Sequence, residues 1–257
     1  NITFGMSDVN FALLGTAKLF HLGYPSLLPQ LLANSGEELG AIYQQAKTTG
    51  VVTSLDMCMP PPGVQVDWLK ILSRTLPYVD VFVPNIIDAL YIFRRADYDA
   101  WGAHYATHLT ADYLAGLAMQ ILELGPVVIG FKLGSLGLYL QTAHAGLERL
   151  ERLPLRADEW TNALVWSPAY GVTKRDSAST MSEIGDPVGD ATYAGLLAAL
   201  LRGLSPSNAA RRACAVAASF VEAGSVAQVI PQWDAIEARI QSGWPLRMEQ
   251  LTGYGSA

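Results

Sequence analysis

Charge is scarce in this sequence. Asp, Glu, Lys and Arg supply only 16% of its 257 residues, against 51% hydrophobic. A chain of this length and polarity buries a sizeable core, and residues 1–257 read as one large domain. Basic residues are the minority, 17 Lys and Arg against 23 Asp and Glu, for a net charge of -6. No basic run interleaves with aromatics, so nucleic acid is not an expected partner. A negative chain still binds phosphate where backbone N–H groups and one or two cations converge. Net charge therefore leaves the substrate open.

Cysteine is nearly absent. Cys58 and Cys214 sit far apart in apolar segments with no metal-ligand spacing, which reads as two buried free thiols rather than a disulfide. There is no signal-peptide pattern and no uninterrupted apolar run of about 18 residues. No membrane partner and a cytoplasmic location are the expectations. The four histidines form no HExxH pattern, although His104 and His108 would share a face if their segment were α-helical. The six tryptophans are too scattered for an aromatic platform and read as core or interface.

What the sequence has instead is alternation of strand-like and helix-like segments. Apolar runs at Leu19–Gly23, Val51–Leu55, Val79–Val83, Val127–Lys132 and Leu138–Gln141 read as strands. Apolar residues at helical spacing mark Gly36–Thr49, Trp68–Leu76, a segment through Ile87 and Phe93, and Leu109–Leu124. Such alternation implies parallel pairing with both sheet faces covered. A polar, turn-rich stretch over 173–186 precedes two helices, Asp190–Arg202 and Pro206–Glu222. Ser205-Pro206 is a cap and first-turn pair for the second. A helix near Gln232–Gln241 then leads into what reads as a loose tail.

In open parallel sheets, ligands bind beyond the carboxyl ends of the strands. The residues to weigh are accordingly Asp56, Asn85 with Asp88, Lys132 through Gly137, and Gly185 through Asp190. The last group is the most informative, because Gly185-Asp186-Pro187-Val188-Gly189-Asp190 runs straight into an Ala/Leu-rich helix. Free N–H groups and the positive dipole end there favour an anion. A carboxylate at that point accepts a proton from an attacking hydroxyl, or simply caps the helix. Lys132 ends a buried strand, where it meets either a phosphate or a carboxylate.

Four segments in order resemble the PfkB/ribokinase family of carbohydrate kinases. Ile184 through Asp190, followed by Ala191-Thr192-Tyr193-Ala194-Gly195, is similar to that family's D-T-T-G-A-G-D signature and the helix behind it. Leu76 through Asn85 resembles its strand ending in Pro-Asn, with Asp88 where the family places Glu. Lys132-Leu133-Gly134-Ser135-Leu136-Gly137 is similar to its nucleotide-cradling turn, and Val51–Asp56 to its strand ending in Asp.

The resemblance implies a ribokinase-like three-layer α/β/α sandwich with a mostly parallel central sheet. It implies ATP-dependent phosphoryl transfer to a hydroxyl of a sugar or nucleoside-like molecule, with Asp190 as base. The amides of Val188, Gly189 and Asp190 would form the anion hole. Asn85, Lys132, Gly134, Ser135, Gly137 and Gly189 would meet the nucleotide, and Mg²⁺ would be held indirectly near Asn85 and Asp88. A monovalent cation and a homodimer stay open. The family's N-terminal substrate and lid part has no counterpart in 1–55, so that region is expected to be missing.

The departures carry a second reading. Pro187 replaces a glycine and has no N–H to donate, Asp186 adds negative charge beside the anion hole, and Ile184 replaces an acidic residue. They point to a catalytically degraded binding or regulatory protein on the same fold. A dinucleotide-dependent oxidoreductase ranks third, because no G-x-G-x-x-G follows an early strand.

Overall fold

The computed structural model describes residues 2–172, 187–223 and 232–254. Six strands form one sheet in chain order: β1 (Leu19–Leu22), β2 (Val52–Leu55), β3 (Val81–Phe82), β4 (Val128–Lys132), β5 (Leu138–Thr142) and β6 (Leu164–Ser167). Strands β1 to β4 pair in parallel, whereas β5 and β6 are antiparallel to their predecessors. Every residue of β2 and β4 is buried, as expected of near-continuous apolar strands covered on both faces.

Because the four parallel strands follow one another in space, right-handed crossovers put their connecting helices on one face. These are α1 (Pro29–Thr48), α2 (Trp68–Thr75), α3 (Ile86–Phe93) and α4 (Ala111–Leu122). Leu39, Ile42, Ile71, Leu72, Leu117 and Ile121 from them share one core with Phe82 and Ile129 of the sheet. The opposite face is covered by α5 (Pro187–Leu201), α6 (Pro206–Ala223) and α7 (Trp233–Gln241). There Leu196, Leu200, Ala209 and Ala213 pack against Val52, Val81 and Leu140. The result is the expected three-layer sandwich, with a sheet that is mostly parallel. Both cysteines are buried and free.

The structure corrects several local expectations. Strand β3 keeps two residues of Val79–Val83. Val79 closes a 3-10 turn by donating its N–H to Leu76 O, and Pro84 has no N–H to extend the ladder. Strand β5 is antiparallel, because the Leu133–Gly137 turn is far too short for the crossover that parallel strands need. Strand β6 was not anticipated. It is a half-exposed edge strand and so lacks the buried apolar signature of its neighbours.

Helix α1 begins earlier than Gly36, with a kink over Ala33–Gly36 where Asn34, Ser35 and Gly36 take φ of 52°, 57° and 74°. Residues Gly102–His108 form a 3-10 helix, in which positions four apart do not share a face, so His104 and His108 are not brought onto one face. His108 instead stacks on Trp101, and among the described residues no group of His, Cys, Asp or Glu can hold a metal by itself.

The tail is not loose. Arg247 N–H donates to Ala169 O at 2.8 Å, Trp244 Nε1 donates to Gly171 O at 2.8 Å, and Tyr254 Oη accepts from Trp166 N–H at 2.9 Å. Its polar composition hid those contacts. No helix among the described residues is long and apolar enough to cross a membrane.

Candidate active site

The carboxyl ends of β1, β2, β3 and β4 all open towards the first turn of α5. Chain direction in the parallel sheet dictates this, and each strand leaves one polar residue there: Tyr24, Asp56, Asn85 and Lys132.

Lys132 and Asp56 form a buried ion pair. Lys132 Nζ lies 2.8 and 2.7 Å from the two Asp56 oxygens, and Met57 N–H donates to Oδ1 at 2.8 Å. The two side chains are 5% and 3% exposed, so water does little for either charge. Burial pushes the Asp56 carboxyl up, to about 6, against the opposing pull of Lys132. Lys132 Nζ also lies 5.6 Å from the ring centroid of Tyr193.

Tyr193, one turn into α5 from Asp190, is fully buried. Its hydroxyl accepts from Ser54 Oγ at 2.8 Å and lies 3.0 Å from the carbonyl oxygens of Leu55 and Val81. It ties the start of α5 to the ends of β2 and β3. His21 Nδ1 lies 3.0 Å from Ser54 Oγ, and its ring meets Tyr193 edge-on. Loss of water around the imidazole, and then the Lys132 charge, push His21 down, to about 4.

Asp190 stands exposed in the first turn of α5, and Tyr24 Oη donates to its Oδ1. Pro187 is the first helical residue, where its missing N–H would have no partner within the helix anyway. The amides of Val188 and Gly189 follow it in the first turn, where an α-helix offers them no carbonyl of its own one turn back, and Asp190 comes next. Ile184, Gly185 and Asp186 lie outside the described residues.

Lys132, Gly134, Ser135, Gly137, Val188 and Gly189 line one cavity of about 240 Å³. The turn that brings the first four there depends on glycine. A side chain on Gly137 (φ 89°) would meet Ser167 O at 2.0 Å, and Gly134 (φ 59°) faces open space. Apolar Val172, Ala217 and Val221 and the guanidinium-bearing Arg247 complete the far wall. Asn85 and Asp88 are not in that lining. Asn85 caps α3, accepting from Ile87 N–H at 3.0 Å, and Asp88 is buried in the first turn of that helix. Asn85 nonetheless bridges to Lys132 across the sheet, beside the cavity.

The residues present fit a magnesium nucleotide. First-turn residues Val188 and Gly189 of α5 and the buried Lys132 line the cavity, and Gly134 leaves room for close backbone approach. With no preformed metal cage among the described residues, Mg²⁺ would be held largely through phosphates and water, the way it usually binds.

Sequence reasoning missed Tyr24, Ser54, Tyr193 and Arg247. Tyr193 had a legible signal, being three residues after Asp190 on the same helix. Tyr24 directly follows the predicted strand Leu19–Gly23, with nothing local to mark it as part of a site. Nothing local marked Arg247.

No family model matches the chain, and neither does any curated protein. Solved structures do match. A fructokinase with bound ATP from Xylella fastidiosa superposes with a TM-score of 0.64 at 16% identity, over 94% of this chain and 66% of its own. A PfkB protein from Polaromonas sp. JS666 gives 0.60 at 18%, over 92% and 62%. Arabidopsis thaliana ribokinase complexed with ribose and ATP gives 0.59 at 15%, over 89% and 57%. The chain thus spans less than two-thirds of the length of these proteins. At such identities the likeness establishes the ribokinase-like fold.

Proposed function

We propose that this protein is an ATP-dependent phosphotransferase acting on a hydroxyl group of a sugar or nucleoside-like small molecule. The observation that carries this reading is one arrangement. The Lys132–Gly137 turn and the start of α5 share a cavity, and Asp190 stands at the rim of that same helix end. ATP bound to the similar fructokinase and ribokinase supports nucleotide as the cavity's occupant. A cytoplasmic setting, which supplies ATP and keeps thiols reduced, suits the two free cysteines.

In this reading the Val188, Gly189 and Asp190 amides hold the γ-phosphoryl oxygens where charge builds up. Lys132 and the backbone of Gly134, Ser135 and Gly137 position the nucleotide, and Asn85 and Asp88 would hold its magnesium indirectly, through water. The metal supplies charge neutralisation on the phosphates. Asp190 takes the proton of the acceptor hydroxyl as that oxygen bonds to phosphorus. Asp56 keeps Lys132 aimed at the cavity.

The test is calorimetric Mg-ATP binding together with turnover on a panel of sugars and nucleosides, for the wild-type chain and Asp190→Asn. Binding should survive the substitution, and turnover should fall by about 10²–10⁴. No binding at millimolar nucleotide, or equal turnover in the two proteins, would overturn the proposal.

A further inference from the structure

Tyr24 is held in an unusual way. It follows β1 directly and takes φ 56°, a conformation that costs a side chain larger than glycine. Its N–H donates to Asp56 O at 3.2 Å and its carbonyl accepts from Leu27 N–H at 3.0 Å, so the turn is fixed on both sides. The product of that fixed turn is a phenol hydroxyl donating to Asp190 Oδ1. An O–H donor on that carboxylate is what an acceptor alcohol would present.

We propose that Tyr24 guards the base: its hydroxyl occupies the acceptor's place on Asp190 while the acceptor site is empty, and so keeps water from being activated there. This inference rests on the phosphotransferase reading above. Water and a polyol differ in what they bring. A polyol reaches Asp190 with further hydroxyl and ring contacts that offset the loss of the Tyr24 hydrogen bond. Water brings one O–H group and no surplus. The guarded reaction is hydrolysis: the water oxygen bonds to the γ-phosphorus, its proton passes to Asp190, and the bond to the β-phosphate oxygen breaks with ADP leaving. Asp190 is exposed and Oδ2 stays open to water, so the Tyr24 hydrogen bond on Oδ1 acts by making the carboxylate a poorer proton acceptor for that step. Tyr24 acts through Asp190 and is therefore a positioning residue.

Tyr24→Phe keeps the ring and removes only the donor. The experiment measures phosphate release from Mg-ATP without any added acceptor, with calorimetric Mg-ATP binding and unfolding midpoints in parallel. Tyr24→Phe should raise kcat for hydrolysis roughly tenfold, the scale of a hydrogen bond to a charged group. KM for Mg-ATP and the midpoint should stay unchanged, and Asp190→Asn added to Tyr24→Phe should abolish the gain. A residue with a purely structural role gives no gain of rate at constant nucleotide affinity. Equal or lower hydrolysis in Tyr24→Phe, with Mg-ATP bound, would overturn the guard and leave the phosphotransferase reading standing. Failure of the wild-type chain to bind Mg-ATP would overturn both.

Discussion

A carboxylate is buried at each end of this sheet, and the two are put to different uses. At the amino end Asp80 is fully buried. Its Oδ2 accepts from Lys47 Nζ at 2.7 Å, Thr53 N–H at 2.9 Å and Thr53 Oγ1 at 3.1 Å. Arg149 Nε lies 2.7 Å from Oδ1 as a second cation, aligned for charge rather than for a hydrogen bond. Three segments far apart in sequence converge there, and the cations keep 22% and 24% of their side chains in water. At the carboxyl end Asp56 has a single cation among the described residues, Lys132, and that cation is itself buried beside a cavity. A buried charge with surplus partners is a bolt. One with a single cation that borders open space is available for a ligand.

Removing Asp80 is the largest way to break this comparison. Asp80→Ala strands two cations and Thr53, and should cost about 3–5 kcal/mol, read from urea denaturation. Mg-ATP affinity of the folded fraction should not change. Lys132→Met should show the reverse balance. Asp56, already pushed up to about 6, takes on a proton more readily than an ordinary carboxyl, so the stability loss should stop at about 1–3 kcal/mol. Mg-ATP binding, in contrast, should weaken at least tenfold. Equal nucleotide affinity in Lys132→Met would place Asp56–Lys132 among the bolts.

The same contrast governs what could be read in the sequence. The strands announced themselves because buried parallel strands are apolar runs, and the start of α5 because its glycine and aspartate precede a helical stripe. The turn at Gly134–Gly137 was legible through glycine, whose freedom it needs. Ion pairs were not. Asp56 and Lys132 are 76 residues apart, and Tyr24 and Asp190 are 166 apart. No local pattern encodes such meetings, since only the order of strands in the sheet creates them. Lys132 was therefore readable as a phosphate ligand or a carboxylate's partner. The structure supplies the second contact and leaves the first as a proposal. The antiparallel direction of β5 follows from the shortness of the Leu133–Gly137 turn, not from period or composition.

The smallest expected effect concerns protons at the carboxyl end, where two groups pull in opposite senses. Asp56 binds its proton more tightly folded than unfolded, with its value raised from 3.8 to about 6. Its contribution to stability is full below about 4 and is lost as pH rises through about 6. His21 is shifted the other way, from 6.5 down to about 4, so its contribution is present above about 6.5 and is lost as pH falls through about 4. The His21 side chain is exposed on the edge strand, and water screens part of its effect. Between pH 4.5 and 6.5 the two slopes oppose each other, and the screened His21 slope offsets part of that of Asp56, so the wild-type urea midpoint should fall only gently with rising pH. His21→Asn removes one slope and uncovers the other, so stability should fall with rising pH, by on the order of 1–2 kcal/mol across that range. A flat profile in His21→Asn would mean that Lys132 keeps Asp56 ionised throughout, and the carboxyl-end pair would then resemble the bolt at the amino end more than a site held ready for a ligand.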